Sequence, residues 1–307
     1  MSGGPTTCMR STATENSTRF WRDRAVKAAL IQLAATDDPA RNLPITEGLI
    51  RQAAAGSAGF VLTPEVTNCR STDRAHQGAV LSQEGDDPTL ARLRAVADDL
   101  GIWLLVGSLG VKTGDPDGRF ANRSFMIAPD GRIAARYDKI HMFDVDVSPT
   151  ERYRESAGYR PGDQAVTVDA PFARIGMTVC YDLRFAYLYR ALAHAGATVL
   201  TVPANFNDTT GAAHWEPLLR ARAIETGSYV LAPAQCGSFP ARNGPDRRAH
   251  GHSMAVSPWG EVLADGGTDP GVTYVTLDPA EVVSARARIP ALTHDSTFTG
   301  PSAGPAA

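Results

Sequence analysis

Short apolar runs rich in β-branched residues recur along this chain with helical patterns between them, and that alternation constrains the fold more than any other feature. Val26 to Leu33, Ser57 to Thr63, Ile102 to Leu109, Ala173 to Val179, Thr198 to Pro203 and Ser228 to Ala234 read as strands. Asn42 to Ala55, Pro88 to Leu100, Tyr187 to Ala195 and Gly211 to Thr226 read as helices. In the second of these, Leu90, Leu93, Val96, Ala97 and Leu100 share one face, and Gly101 supplies a stop. Pro129-Asp130-Gly131 is a tight turn, so Arg123 to Ala128 and Ile133 to Tyr137 should form a hairpin. Ala165 to Val168 adds a strand, and His252 to Val256, Glu261 to Ala264 and Val272 to Leu277 an antiparallel set before a short helix from Pro279. Helix alternation together with hairpins predicts a layered α/β domain with mixed sheets.

No composition shift or linker divides the chain between Lys27 and His294, so residues 25–298 are read as one domain. Met1 to Arg24 is polar, rich in Ser and Thr, and carries Glu15 and Asp23 without an apolar core. It reads as a loose N-terminal extension (residues 1–24) rather than a targeting signal, and residues 299–307 as a flexible tail. A formal net charge of −3 without clustered basic residues gives no footprint for nucleic acid. No apolar run approaches the length of a membrane span. The four cysteines, Cys8, Cys69, Cys180 and Cys236, are scattered, which suits a reduced, cytoplasmic protein.

Three residues at predicted strand ends carry the chemistry. Cys180 closes the run Arg174 to Val179 just before a helical pattern, where a nucleophile can sit and where a helix N-terminus would favour its thiolate. A buried structural thiol is the alternative. Glu65 follows Phe60-Val61-Leu62-Thr63-Pro64, and a carboxylate there is unusual unless paired or working, since burial disfavours its charged form. Lys139 ends the run from Ile133. If these strands share a sheet, base, cation and nucleophile converge at one edge. Such a set can cleave an amide: Glu65 takes the thiol proton as Cys180 attacks the carbonyl, then passes it to the departing ammonia or amine. Lys139 and the backbone N–H of Tyr181 stabilise the oxyanion, and water hydrolyses the thioester. No metal or organic cofactor is required.

Two long connections, His141 to Asp163 and Gly237 to Ala249, read as irregular loops of the kind that often serve function. The second carries Arg242, Arg247 and Arg248, read as solvated surface residues. The alternative is a wall offering cations to an anionic substrate.

Leu62-Thr63-Pro64-Glu65, Tyr137-Asp138-Lys139-Ile140-His141-Met142-Phe143-Asp144-Val145-Asp146 and Gly176-Met177-Thr178-Val179-Cys180-Tyr181-Asp182-Leu183-Arg184-Phe185 resemble the three signature blocks of the nitrilase superfamily, the carbon–nitrogen hydrolases. The likeness runs from about Lys27 to His294. Within the superfamily the chain is most similar to the Nit-type amidases, which act on deaminated glutathione or on ω-amides of 2-oxo acids. The resemblance implies a four-layer αββα sandwich, a homodimer or higher homo-oligomer, and a small-molecule amide and water as the partners. It also implies a second carboxylate, placed here at Glu155, to orient Lys139. Asn205 and Phe206 resemble the segment lining the substrate site, and Arg184, with Asp182, would brace the turn after Cys180 or, with Arg152 and Arg154, meet a substrate carboxylate. The chain departs from the family at Ala186-Tyr187, where many relatives have Pro-Glu, which bears on substrate identity.

Other readings use the same residues. An N-carbamoyl amino acid hydrolase or a nitrilase proper shares the three groups, and a non-catalytic scaffold member would be expected to lack one. His250 and His252 fall on one face of a strand but find no third ligand, which argues against a metal. A Cys–His hydrolase using His141, His214 or His252 leaves Glu65 unexplained.

Overall fold

The computed structural model describes residues 25–148, 151–239 and 246–300, and its centre is a pair of six-stranded sheets. In spatial order the first holds Gly271–Leu277, Val26–Gln32, Phe60–Leu62, Trp103–Lys112, Phe120–Ile127 and Ile133–Asp138. Its second to fourth strands are parallel and the flanking pairings antiparallel. The second sheet repeats that scheme with Val262–Asp265, Met254–Val256, Tyr229–Ala232, Val199–Thr201, Ala173–Met177 and Val166–Ala170. There the parallel trio lies at Tyr229–Ala232, Val199–Thr201 and Ala173–Met177.

The two-residue period of a strand explains how the layers stack. Ala28, Leu30, Phe60, Leu62 and Leu105 join the core shared with the second sheet. Their neighbours Ala29, Ile31, Val61, Leu104 and Val106 point the other way, onto Ile50 and Ala53 of the helix Pro39–Ala55 and onto Leu90, Leu93, Val96 and Ala97 of the helix Pro88–Leu100. The helices Ala186–His194 and Asp208–Thr226 cover the second sheet with Leu188, Tyr189, Leu192, Trp215, Leu219 and Ala223. The result is a layered α/β domain with mixed sheets, as the strand and helix pattern predicts, in the four-layer αββα form that the family resemblance implies.

Helix ends follow the local chemistry. Asp87 accepts from the Leu90 N–H, Pro88 opens the helix, and Gly101 closes it at φ 62°, so the predicted span Pro88 to Leu100 holds at both ends. Gly131 turns the predicted hairpin at φ 72°, and Ile127 pairs with Ile133 across it.

The long connections are more ordered than the sequence suggested. Asp144–Asp146 pairs with Arg152–Arg154, and Ser238–Phe239 with Arg247–Arg248, as two small antiparallel ribbons. A seven-residue helix, Arg74–Val80, is an element the sequence reading missed. It buries only Gln77, so it has no apolar stripe, and its one signal is Asp73, whose side chain caps the Ala75 N–H. The extension 1–24 lies outside the described residues, and of the tail only Thr299 and Gly300 are described, exposed and without regular structure. No helix among the described residues is long and apolar enough to cross a membrane.

Candidate active site

Glu65, Lys139, Glu155 and Cys180 meet in one place, but not by sharing a sheet. Glu65 and Lys139 come from the first sheet, following Phe60–Leu62 and Ile133–Asp138, while Cys180 follows Ala173–Met177 of the second. The expectation of a common sheet edge is therefore corrected: the groups converge across the gap between facing sheets. Two hydrogen bonds stitch that gap. The Asn205 N–H donates to Glu65 Oε2 at 2.7 Å, and Gln235 Nε2 to the Glu65 carbonyl at 2.9 Å.

The backbone at one of these positions, and directly beside another, is left-handed without being glycine. Cys180 has φ 48° and Val66, directly after Glu65, has φ 50°. For a β-branched residue this is a strained conformation that persists only when its surroundings impose it. Ser108 does so for Val66: its Oγ accepts the Val66 N–H at 2.8 Å and its carbonyl the Thr67 N–H at 2.9 Å. The bulge that offers Ser108 lies between Val106 and Leu109 and depends on Gly107. A Cβ on Gly107 would stand 1.7 Å from the Thr63 carbonyl oxygen, a contact no side chain tolerates. Cys180 is held by its N–H, which donates to the Pro203 carbonyl at 2.9 Å, and by the short 3₁₀ turn Cys180–Arg184 that follows.

Asp182 fixes that turn to the Lys139 segment. Fully buried, it accepts from Tyr137 Oη at 2.7 Å, from the Val179 N–H at 2.8 Å, and from both the N–H and the ring of His141, at 3.0 and 2.7 Å. Tyr137 and His141 each stand two residues from Lys139. One carboxylate thus sets the distance between the lysine and the cysteine.

Lys139 is 2% exposed and donates to Glu65 Oε1 at 3.0 Å and to Glu155 at 2.9 and 2.7 Å. Burial alone would lower its pKa. The two carboxylates overcome that, Glu155 more than Glu65, and hold it well above the ordinary lysine value. Glu155 also accepts the Phe143 N–H at 2.6 Å, and its own pKa is raised, because burial outweighs the attraction of Lys139. Asn122 Nδ2 donates to both carboxylates, to Glu65 at 2.9 Å and Glu155 at 3.3 Å. Sequence reasoning missed Asn122, and its signal was an amide inside the apolar strand Phe120–Ile127.

The Cys180 thiol is pushed well above its ordinary pKa, first by burial and then by the charge of Glu65, with Lys139 opposing. The expected helix-end preference for thiolate is overturned: the group is a protonated thiol at neutral pH, poised beside a carboxylate. Replacing Glu65 with glutamine removes a negative charge while keeping the shape, so the thiolate should form at lower pH than in the wild type. The pH profile of alkylation at Cys180, mapped by mass spectrometry, checks this, and an unmoved midpoint would contradict it.

These groups open into a cavity of about 400 Å³. Tyr181, Asn205 and Phe206 line it, with Phe143, Tyr153 and Phe239 completing an aromatic wall. Arg152 and Arg154 line it too. Arg247 and Arg248 are part of its wall rather than a purely solvated loop, and Arg242 lies outside the described residues. Arg184 is not on the wall. Its guanidinium sits 5.8 Å from the Tyr181 ring centre and 5.4 Å from that of Phe206, and donates to His214 Nδ1 at 3.3 Å, so it supports two lining residues from behind. His250 and His252 pair with Asp208 and Asp265 respectively, and no cluster of three metal-ligating side chains occurs among the described residues.

The carbon–nitrogen hydrolase family model matches residues 27–287. The chain belongs to that family. It is 38% identical over 268 residues to a deaminated glutathione amidase of Yersinia enterocolitica, covering 87% of this chain and 92% of the relative. The human omega-amidase NIT2 is 36% identical over 267 residues, covering 86% and 92%. Among solved structures, the NitFhit protein of C. elegans superimposes with a TM-score of 0.82 at 30% identity, covering 89% of this chain and 66% of that longer one. As a carbon–nitrogen hydrolase, the chain has the fold and the enzyme class that its three sequence blocks implied.

Proposed function

We propose that this carbon–nitrogen hydrolase is an amidase acting through a thioester on a small amide that carries a carboxylate, of the kind named for its relatives: deaminated glutathione or the ω-amide of a 2-oxo acid. The observation that carries the reading is the meeting of Cys180, Glu65 and Lys139 on one cavity, with Lys139 donating to Glu65 Oε1 at 3.0 Å. Glu65 takes the thiol proton as sulfur attacks the amide carbon. The oxyanion forms beside Lys139 Nζ and the Tyr181 N–H, since the Cys180 N–H is already committed to Pro203. Glu65 then protonates the leaving nitrogen, the C–N bond breaks, and the acyl group remains on sulfur. Water, losing its proton to Glu65, attacks the thioester and frees the acid. Glu155 keeps Lys139 charged throughout, and Asn205 fixes the second oxygen of Glu65 through its N–H.

The three described cysteines are unpaired, which supports a reducing compartment such as the cytoplasm. Hydrolysis of 2-oxoglutaramate, deaminated glutathione, an N-carbamoyl amino acid and an aliphatic nitrile, measured side by side as amine or ammonia release, tests the reading. Cleavage of one of the first two is expected to be fastest. Activity on the carbamoyl compound or the nitrile alone would replace it with one of the other hydrolase chemistries.

A further inference from the structure

Six guanidiniums line the cavity, those of Arg70, Arg74, Arg152, Arg154, Arg247 and Arg248. Asp146 partners two of them, lying 3.9 Å from Arg152 and 2.8 Å from Arg154, and Asp208 stands 3.8 Å from Arg248. Arg70, Arg74 and Arg247 have no carboxylate partner among the described residues. Glu65 and Glu155 do not compensate them, being spent on Lys139.

Arg70 is the least expected of the three, for it is 2% exposed. Buried charges are ordinarily paired, because an ion taken out of water without a counter-ion is costly. Among the described residues Arg70 has only neutral partners: the carbonyls of Cys236 and Gly237 at 2.7 and 2.9 Å, and the face of Phe239 at 3.9 Å. Its Nε has no hydrogen-bond partner among the described residues. Burial lowers its pKa to about 9, which leaves it cationic at neutral pH. Arg74 opens the helix Arg74–Val80 and makes no hydrogen bond or ion pair among the described residues; Gly158 leaves it room, since a Cβ there would stand 3.1 Å from its Nε. Arg247 lies over the Tyr153 ring at 4.3 Å and donates to the Arg152 carbonyl at 3.3 Å. In a chain of net charge −3, three uncompensated guanidiniums on one cavity wall are a sorted charge rather than a general surplus.

We propose that Arg70, Arg74 and Arg247 form a carboxylate-binding subsite on the cavity wall, made of residues separate from those that react, and that it selects amides anionic at the end remote from the scissile carbonyl. Arg74 and Arg247 supply the hydrogen-bond donors that a carboxylate accepts from a guanidinium fork, and Arg70 supplies a fixed positive potential behind them. The proposal rests on the amidase reading for its substrate, but not for its anion.

The test compares pairs of amides with the same reacting end, one ending in a free carboxylate and the other in its methyl ester. The wild type should prefer the acid by about tenfold or more in kcat/KM, through KM, and lose that preference as salt is raised. Arg74→Gln combined with Arg247→Gln should bring the ratio close to one. Arg70→Met, which removes the buried charge, should also lower the ratio; should that variant fail to fold, the double variant still decides the matter. A wild-type ratio near one, or a double variant that keeps the wild-type ratio, overturns the subsite. Calorimetric titration of the full chain with glutarate separates the two claims. Glutarate bound by the wild type and lost in the double variant sustains the subsite even if no amide is cleaved, whereas brisk amide cleavage with no acid preference sinks the subsite alone.

Discussion

Changing Cys180 to alanine is expected to abolish amide turnover, by about four orders of magnitude or more, while leaving thermal unfolding close to that of the wild type. The two halves of that expectation have different causes. Turnover needs a covalent bond to sulfur, and no other described cysteine lines the cavity. Cys69 and Cys236 are also poor substitutes in their own environments, because burial pushes their thiols up to about 12 and about 11. The fold loses little, because one sulfur atom is removed from a cavity wall rather than from a filled core, and alanine accepts the same positive φ about as poorly as cysteine does. Amine release on the substrate panel and a thermal scan of both proteins check the pair of outcomes. Turnover of Cys180→Ala within tenfold of the wild type would remove the thioester from the mechanism.

How far the sequence could be read depends on whether a property is local. The helix Pro88–Leu100 was legible to the residue because its cap, its proline, its apolar stripe and its closing glycine are all written within fifteen positions of one another. Cys180, Glu65 and Lys139 were legible as strand-end residues with matching chemistry, and the family likeness of the blocks around them pointed the same way. What could not be read was which sheet each strand would join. The pairing of Val26–Gln32 with Gly271–Leu277, nearly the whole chain apart, closes the first sheet, and nothing local encodes it. The same limit hid Arg70 and Asp182. Arg70 looks like any charge in the polar stretch Asn68 to Arg74 until the chain near Cys236 covers it, and the role of Asp182 appears only when Tyr137 and His141 are seen to share it. The small ribbons read as loops in the sequence because a strand of two or three residues has too few positions to show alternation.

Lys139→Met should cost both stability and activity, and the pH dependence of the first identifies the reason. Methionine fills much of the same volume but brings no charge, so Glu65 and Glu155 are left side by side in a largely buried site, bridged only by Asn122. Removing one partner from a buried ion pair typically costs about 3–5 kcal/mol, most of it the penalty of the stranded charge. The sign with pH follows from two raised values. The folded-state pKa of Lys139 is raised, so its contribution is fully present at neutral pH and fades only as pH climbs through that high value. The pKa of Glu155 is raised already in the wild type, with Lys139 the chief force holding it down, so losing the lysine raises it further. A carboxyl of this kind is tolerated while protonated and destabilises as pH rises through its folded-state value. The stability gap between Lys139→Met and the wild type should therefore narrow on acidification and widen toward neutral pH, as denaturant titrations across that range would show. A gap independent of pH would mean that packing, not charge, is what Lys139 supplies. Lys139→Arg divides the remaining role: it keeps a cation between the carboxylates and should recover most of the stability, yet its larger planar head cannot occupy the same point beside the oxyanion. Wild-type turnover in that variant would show that a nearby positive charge is enough, and that the placement enforced by Glu65, Glu155 and Asp182 is not what the chemistry depends on.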